Sequence, residues 1–356
     1  MKNIHGGDIY RYENILDFSA NVNPLGTPPS IIEAVEKSLN SIVHYPDIYC
    51  EKLREKIAAA EMVEKETVIC GNGAADLIYR LVFAKRPKKA LILAPGFAEY
   101  EQALCACGTE IVYYYLNHKD FRLDETFLEA LTEDLDMICI CSPNNPTGAV
   151  IEPELLHKIS IVCKKKHIFM LMDECFNNFL EEPEIYTLLE LAKKEEHIFI
   201  LKAFTKMYGM AGIRLGYGIC TDSAVLEKMY EIGPPWNVSV LAQAAGIAAL
   251  DEKEFTISTR KYIKKEKEKL YGELDKLGIQ YWKTDANYIF FKDGKGLKEL
   301  LLEKGILIRD CSNYPGLEEG YYRIAVKSDT DNRKLVETLW EVKKEMCDMH
   351  TMAAHM

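Results

Sequence analysis

Apolar residues along this chain fall into two patterns. Short continuous runs bounded by turn formers predict buried strands, and stretches with apolar residues every three to four positions predict helices. The runs give strands at 67–70, 90–94, 110–115, 136–141, 167–172 and 197–201. The helical pattern follows or precedes them at 50–61, 74–84, 98–107 and 153–166; in 74–84, Leu77, Ile78, Leu81 and Val82 share one face. An earlier helix opens at Pro28-Pro29-Ser30 and ends near residue 39, and the residues before it are mostly turn formers. Short apolar strands separated by helices imply a mostly parallel sheet covered on both faces, an α/β fold.

The pattern changes after residue 250. A charged helix is expected over 253–277, then strands at 288–291, 306–308 and 321–326, with helices at 297–304 and 334–345. This reads as a smaller α+β domain, and the tail 346–356 is expected to fray. The chain thus divides into an N-terminal arm and start of the small domain (1–35), a large domain (36–250) and a small domain (251–356). At 356 residues, 48% hydrophobic and 28% charged, the composition is that of a globular protein. The net charge of −11 disfavours nucleic acid and anionic membranes as partners. The eleven cysteines lie singly or inside apolar runs, which suits reduced thiols. The eight histidines show no zinc spacing, so no metal is expected. With no signal-like or spanning apolar segment, the expected location is the cytoplasm.

In open α/β sheets, ligands bind beyond the carboxyl ends of the strands. Four predicted strand ends carry chemistry. Gly71-Asn72-Gly73-Ala74-Ala75 leads into a helix whose free N–H groups suit a phosphate, although a plain turn has the same composition. Asn145 lies in Pro143-Asn144-Asn145-Pro146-Thr147-Gly148, which is turn chemistry throughout. Asp173 follows an apolar run, where a carboxylate needs a cation or several hydrogen bonds, or serves as a helix N-cap. Lys206 follows Ile198-Phe199-Ile200-Leu201; burial there lowers a lysine's pKa and frees its amine for Schiff-base chemistry, while a surface lysine on a loop is the bland alternative. The glycines at 209, 212, 216 and 218 leave room for a flat ligand or close packing, and Arg214 offers a planar fork to a phosphate. One ligand accounts for all four ends together. Pyridoxal phosphate has an aldehyde for Lys206, a ring nitrogen for Asp173, a ring hydroxyl for Asn145, and a phosphate for Gly73, Ala74, Ala75 and Arg214.

The order of Gly-Asn-Gly, Ser-Pro-Asn-Asn-Pro-Thr-Gly, Asp-Glu and Thr-Lys followed by Ala-Gly-Ile-Arg-Leu-Gly-Tyr resembles the class I/II aminotransferases of the fold-type I pyridoxal phosphate enzymes, from about Asp17 to Val326. The resemblance implies a seven-stranded, mostly parallel sheet in the large domain and a homodimer with shared active sites. It implies that Lys206 carries the cofactor aldehyde, Asp173 pairs with the ring nitrogen, Asn145 bonds the ring hydroxyl and Phe97 stacks on the ring. Gly73, Ala74, Ala75, Thr205 and Arg214 hold the phosphate, with Tyr45 reaching it from the partner subunit. Arg323 clamps the substrate carboxylate. Two subgroups compete. His5-Gly6-Gly7, residues 16–26, Pro234-Pro235-Trp236-Asn237, residues 308–317 and Phe176 look like threonine-phosphate decarboxylases, which would place the chain in synthesis of the cobalamin side-chain precursor. Histidinol-phosphate or aromatic aminotransferases, which pass the amino group to 2-oxoglutarate, are the alternative. The decarboxylase-like set implies a small phosphorylated substrate held by His5, Ser19, Asn21 and Arg309. Two positions depart from the wider family: Phe176 replaces a tyrosine and cannot donate to the ring oxygen, and Ala203 replaces a hydroxyl residue near the phosphate. A regulator that senses the cofactor without turnover is the third reading, disfavoured because the match begins by Asp17 and leaves no room for a winged helix. Lys202 is the substitute should Lys206 not be the reactive lysine.

Overall fold

The computed structural model describes residues 5–354. Seven strands form one sheet in the order Val68–Gly71, Gly216–Ile219, Ile198–Ala203, Phe169–Asp173, Met137–Cys141, Lys89–Ala94 and Glu110–Tyr115. Only Gly216–Ile219 runs against its neighbours; the other pairings are parallel. Side chains alternate across this sheet, so each apolar strand feeds two cores. Ile138, Ile140, Met170, Met172, Ile198 and Ile200 join one. Cys139, Cys141, Phe169, Leu171, Phe199 and Leu201 join the other. This is why the strands read as unbroken apolar runs rather than as alternating ones.

A second sheet of four antiparallel strands has the order Arg309–Asp310, Tyr321–Ala325, Tyr288–Lys292, Gln280–Trp282. The N-terminal segment joins it sideways. Leu16–Asp17 pairs in parallel with Ile306–Leu307. Phe18 then donates its N–H to the Leu307 carbonyl at 2.8 Å and accepts from Ala325 N at 2.8 Å. Residues 19–23 are thereby delivered to the carboxyl edge of the large sheet, where Asn23 N bonds the Lys206 carbonyl at 3.1 Å.

Several elements differ from the pattern-based expectation. The glycine-rich stretch after Arg214 contains the strand Gly216–Ile219. Added Cβ atoms would lie 2.0 Å from the Phe199 ring at Gly218 and 2.8 Å from Ala74 N at Gly216, so close packing, rather than ligand room, requires glycine at these two positions. Helices Ser223–Ile232 and Val240–Ala249 fill the region before residue 250, each opened by a side-chain cap, Asp222 to Val225 N at 3.1 Å and Ser239 to Ala242 N at 3.1 Å. The last helix spans Asp329–Ala354 rather than 334–345, and residues 355 and 356 of the expected tail lie outside the described residues. Asp329 and Asp331 favour its first turn, and no glycine or proline interrupts the sequence behind them.

Candidate active site

The strand Phe169–Asp173 ends by turning a carboxylate into a buried space. Asp173 Oδ2 accepts from the Tyr100 hydroxyl at 2.5 Å, and Oδ1 accepts from Cys175 N at 2.9 Å. Burial raises its pKa; the bonds from Cys175 and Tyr100 and the nearby Lys206 ammonium pull the other way. Tyr100 was not singled out from the sequence. The available signal was its place three residues after Phe97, on the first turn of the helix Ala98–Cys107, which puts it on the face of that helix nearest the ring-stacking position. Its ring meets Phe97 edge-on at 5.6 Å. Replacing Tyr100 by Phe removes a donor to Asp173 and is expected to raise that carboxyl's pKa further. The acid limb of the pH–rate profile should then move to higher pH, with kcat at neutral pH reduced by about tenfold, roughly the 1.5 kcal/mol of a hydrogen bond to a charged group. An acid limb in its original place would refute the assignment.

Two lysines are close in sequence and opposite in environment. Lys206 is part-buried beyond the strand Ile198–Ala203, and no ion pair or hydrogen bond engages its ammonium among the described residues. Burial lowers its pKa; Cys175 and Asp173 raise it, Arg323 and Arg214 lower it. All four therefore share one electrostatic site with it. Lys202 lies on the strand itself, where its Nζ meets Glu61 Oε2 at 2.9 Å and Glu174 Oε2 at 3.8 Å. Burial works against its charge, but the two carboxylates outweigh burial and hold its pKa up. Glu61 also accepts from the Tyr217 hydroxyl, and Glu174 from Thr187 Oγ1 at 2.7 Å. Lys202 is thus held by two carboxylates, whereas the Lys206 ammonium has neither ion pair nor hydrogen bond among the described residues.

Facing Lys206, the helix Ala74–Lys85 begins at Gly73, which has φ +81° and no side-chain cap. The N–H groups of Ala74 and Ala75 are left pointing out of the helix start. A Cβ on Gly73 would sit 2.5 Å from Arg214 Nη2, so the guanidinium lies directly against the glycine. Arg214 itself has φ +59° and donates to the Ala211 carbonyl at 3.4 Å. Thr205 is buried beside Lys206, and Ala203, also buried, ends the strand. An arginine over a bare helix N-terminus is a cradle for a dianion, and Ala203 contributes no hydroxyl to it.

The third side of the site comes from the small sheet. Arg323 is buried, donates through Nη1 to Asn145 Oδ1 and through Nη2 to the Ser19 carbonyl at 2.8 Å, and leaves its Nε without a partner. The buried Asn21 Oδ1 is also unpartnered. Groups of this kind inside a protein are met by ordered water or by a polar ligand. Tyr314 reaches Asn145 Oδ1 at 3.5 Å, and Arg309, opposite Arg323 in the strand register, lies over the Tyr314 ring at 5.1 Å. Arg309 Nη2 also holds Asn313 Oδ1 at 2.8 Å. The Ser19 hydroxyl is engaged structurally, donating to Asp17 at 2.6 Å and accepting from Gly7 N at 2.7 Å. His5 pairs with Glu99 at 2.8 Å and its ring lies 6.2 Å from Phe97. His5, Ser19 and Arg309 line one cavity of about 340 Å³ with Lys298 and Arg11. Phe176 packs edge-on against Tyr288 at 5.1 Å. Tyr45, expected at the partner subunit's site and not at this one, is 78% exposed and stacks on Trp236 at 4.5 Å.

The sequence profile of aminotransferase class I and II matches residues 13–339. The chain is 36% identical over 351 residues to threonine-phosphate decarboxylase of Salmonella typhimurium, covering 95% of this chain and 96% of that one. It is 31% identical over 342 residues to histidinol-phosphate aminotransferase of Methanothermobacter thermautotrophicus, covering 93% and 89%. The crystal structure of the histidinol-phosphate aminotransferase from Clostridium acetobutylicum superposes with a TM-score of 0.87 at 30% identity, covering 93% of this chain and all of that one. A carboxylate and a free amine at adjacent strand ends, an anion cradle across from them and a buried arginine behind are thus carried by a chain that belongs to the aminotransferase class I and II family, with the fold-type I architecture of pyridoxal phosphate enzymes.

Proposed function

We propose that this enzyme holds pyridoxal 5′-phosphate and decarboxylates a small phosphorylated amino acid, L-threonine O-3-phosphate. The residues fit the cofactor: the Gly73–Arg214 contact makes a phosphate cradle, and Lys206 offers an unpaired amine across from it. The observation that carries the substrate reading is the cavity shared by His5, Ser19 and Arg309 next to the Arg323 side chain. Beside the carboxylate clamp it sets Arg309 and Lys298, with Arg11 held by Asp8 and with Asp310 on the same wall, so a second anionic group of the substrate would meet two cations there. The near full-length likeness to a threonine-phosphate decarboxylase supports the same reading.

The cofactor supplies an aldehyde for the substrate amine and a ring that accepts the electron pair left when a bond to Cα breaks. Asp173 would hold a proton at the ring nitrogen, and the bonds from the Tyr100 hydroxyl and the Cys175 N–H keep its carboxylate in place. Asn145 is oriented by Arg323, which leaves its amide group to meet the ring hydroxyl. Arg323 would fix the substrate carboxylate and so set which bond to Cα is presented for cleavage. Were the bond to the carboxylate the one set up for cleavage, carbon dioxide would be lost and Lys206 would hand Cα a proton in its place. Were the Cα–H bond set up instead, Lys206 would take that proton, as an aminotransferase requires.

The assay is incubation of the holoenzyme with L-threonine O-3-phosphate. Release of carbon dioxide without an added keto acid is expected. Turnover that needs 2-oxoglutarate and yields glutamate would instead establish an aminotransferase of the histidinol-phosphate type, a reading favoured by the 31% identity to such an enzyme. We also infer a cytoplasmic homodimer in which Tyr45 reaches the partner's cofactor phosphate. Exposed Ile42, Val43 and Tyr45 and the Tyr45–Trp236 stack form an apolar surface suited to a second copy. Ten free cysteines among the described residues suit a reducing compartment, and no helix there is long and apolar enough to cross a membrane.

A further inference from the structure

The helix Lys253–Lys276 carries a cation that the proposed chemistry does not use. Lys267 is part-buried, and its Nζ donates to the backbone carbonyls of Thr284 at 2.7 Å and Ala286 at 3.0 Å. Desolvation lowers its pKa to about 8. The charged groups around it are Asp285 on the same loop, Glu268 and Lys264 on its own helix, and Glu181 from the segment after residue 179. Glu181 is taken by Lys264 at 2.6 Å, and Asp285 faces Arg122 at 3.8 Å. What holds Lys267 is therefore mainly a pair of carbonyls. A methionine would fill similar volume without the desolvation cost, so what the ammonium adds is a fixed position for two adjacent backbone oxygens.

The loop those oxygens belong to, 283–287, rests on the turn that presents Asn145. Asp285 N donates to the Gly148 carbonyl at 3.1 Å, and Gly148 N donates to the Asn144 carbonyl at 2.6 Å. A Cβ on Gly148 would meet Thr284 Cβ at 2.4 Å, so the two segments are in full contact. Tyr288, which follows the loop, donates its hydroxyl to the same Asn144 carbonyl at 2.6 Å. At its far end, Asn287 accepts from Val326 N at 2.9 Å, just past the strand that bears Arg323, and donates through Nδ2 to the Asn21 carbonyl at 3.1 Å.

We propose that Lys267 is a positioning residue: it clamps the loop 283–287 so that the Asn145 turn stays seated against Arg323, and losing its proton loosens that seat. The neutral amine has one donor fewer and none of the charge that strengthens the other two. The inference rests on the reading of Asn145 and Arg323 as ring-hydroxyl and carboxylate contacts, but its first readout does not.

Amide hydrogen exchange on the holoenzyme between pH 7 and 9 reads the clamp directly. In the wild type, exchange at Thr284, Asp285 and Gly148 should accelerate by at least about tenfold beyond the intrinsic base-catalysed rise as Lys267 titrates. Lys267→Arg, which keeps its charge throughout, should abolish that extra step. Lys267→Met should exchange fast at every pH and raise KM about tenfold with kcat within about twofold, the signature of lost ground-state positioning. Wild-type exchange that follows only the intrinsic rise, or a step that persists in Lys267→Arg, overturns the proposal, and both hold even if the methionine variant fails to fold. Failure of the cofactor reading is separately visible as a missing borohydride-trapped adduct on Lys206, which leaves the exchange result intact.

Discussion

Lys206→Ala should reduce turnover by roughly a thousand- to ten-thousandfold, the upper range for a positioned proton-transfer group, while circular dichroism and cooperative unfolding stay those of the wild type. Borohydride reduction followed by peptide mapping should find a pyridoxyl adduct on Lys206 in the wild type and none in the variant. The control is Lys202→Met. That change strands Glu61 and Glu174 without their shared cation, and breaking a buried pair in this way costs about 3–5 kcal/mol of stability. The adduct on Lys206 should nevertheless remain. Because the native pKa of Lys202 is held above its ordinary value, this stabilisation is complete at neutral pH. It should decline only as pH rises beyond about 10, through the native pKa. Turnover retained in Lys206→Ala, or an adduct on Lys202, would reassign the reactive amine.

Asp173→Asn is the second large effect, and it should separate catalysis from stability. The carboxamide cannot keep a proton on the ring nitrogen, and kcat should fall by about a hundred- to a thousandfold, as when one preorganised electrostatic partner is removed. The apoprotein should be at least as stable as the wild type at pH 7. Burial raises the native pKa of Asp173, so the folded apoprotein binds this proton more tightly than the unfolded chain. Wild-type stability therefore carries a contribution that is full below about pH 4 and is lost as pH rises through the native pKa, and the variant lacks that slope. Denaturant titrations of both apoproteins at several pH values measure it. A variant with near-normal kcat, or one destabilised at neutral pH, would contradict the role given to this carboxylate.

Much of this was legible because the site's main residues interrupt apolar runs. Asp173 and Lys206 stand out because nothing in a buried strand end requires a charge, and Gly73 and Asn145 lie in turns whose composition is plain from sequence. Tyr100 was not legible, because a tyrosine at helical spacing has the same pattern whether it fills a core or donates to a carboxylate; only the 2.5 Å contact distinguishes them. The Lys202–Glu61 pair spans residues that no periodicity relates. The strand Gly216–Ile219 was hidden by its glycines, whose weak intrinsic preference is overridden by packing against Phe199 and the start of the neighbouring helix. For the Ser19 hydroxyl, residue type suggested a ligand contact, and the fold uses it to fasten the N-terminal arm.

The antiparallel register of Ala203 with Gly216 has a consequence for the site. Lys206 and Arg214 both belong to the connection between these two residues, and its feet are pinned by the ladder. The amine and the guanidinium are therefore carried by one hairpin of the large sheet, so a ligand that touches both is held by one body of the fold rather than across two.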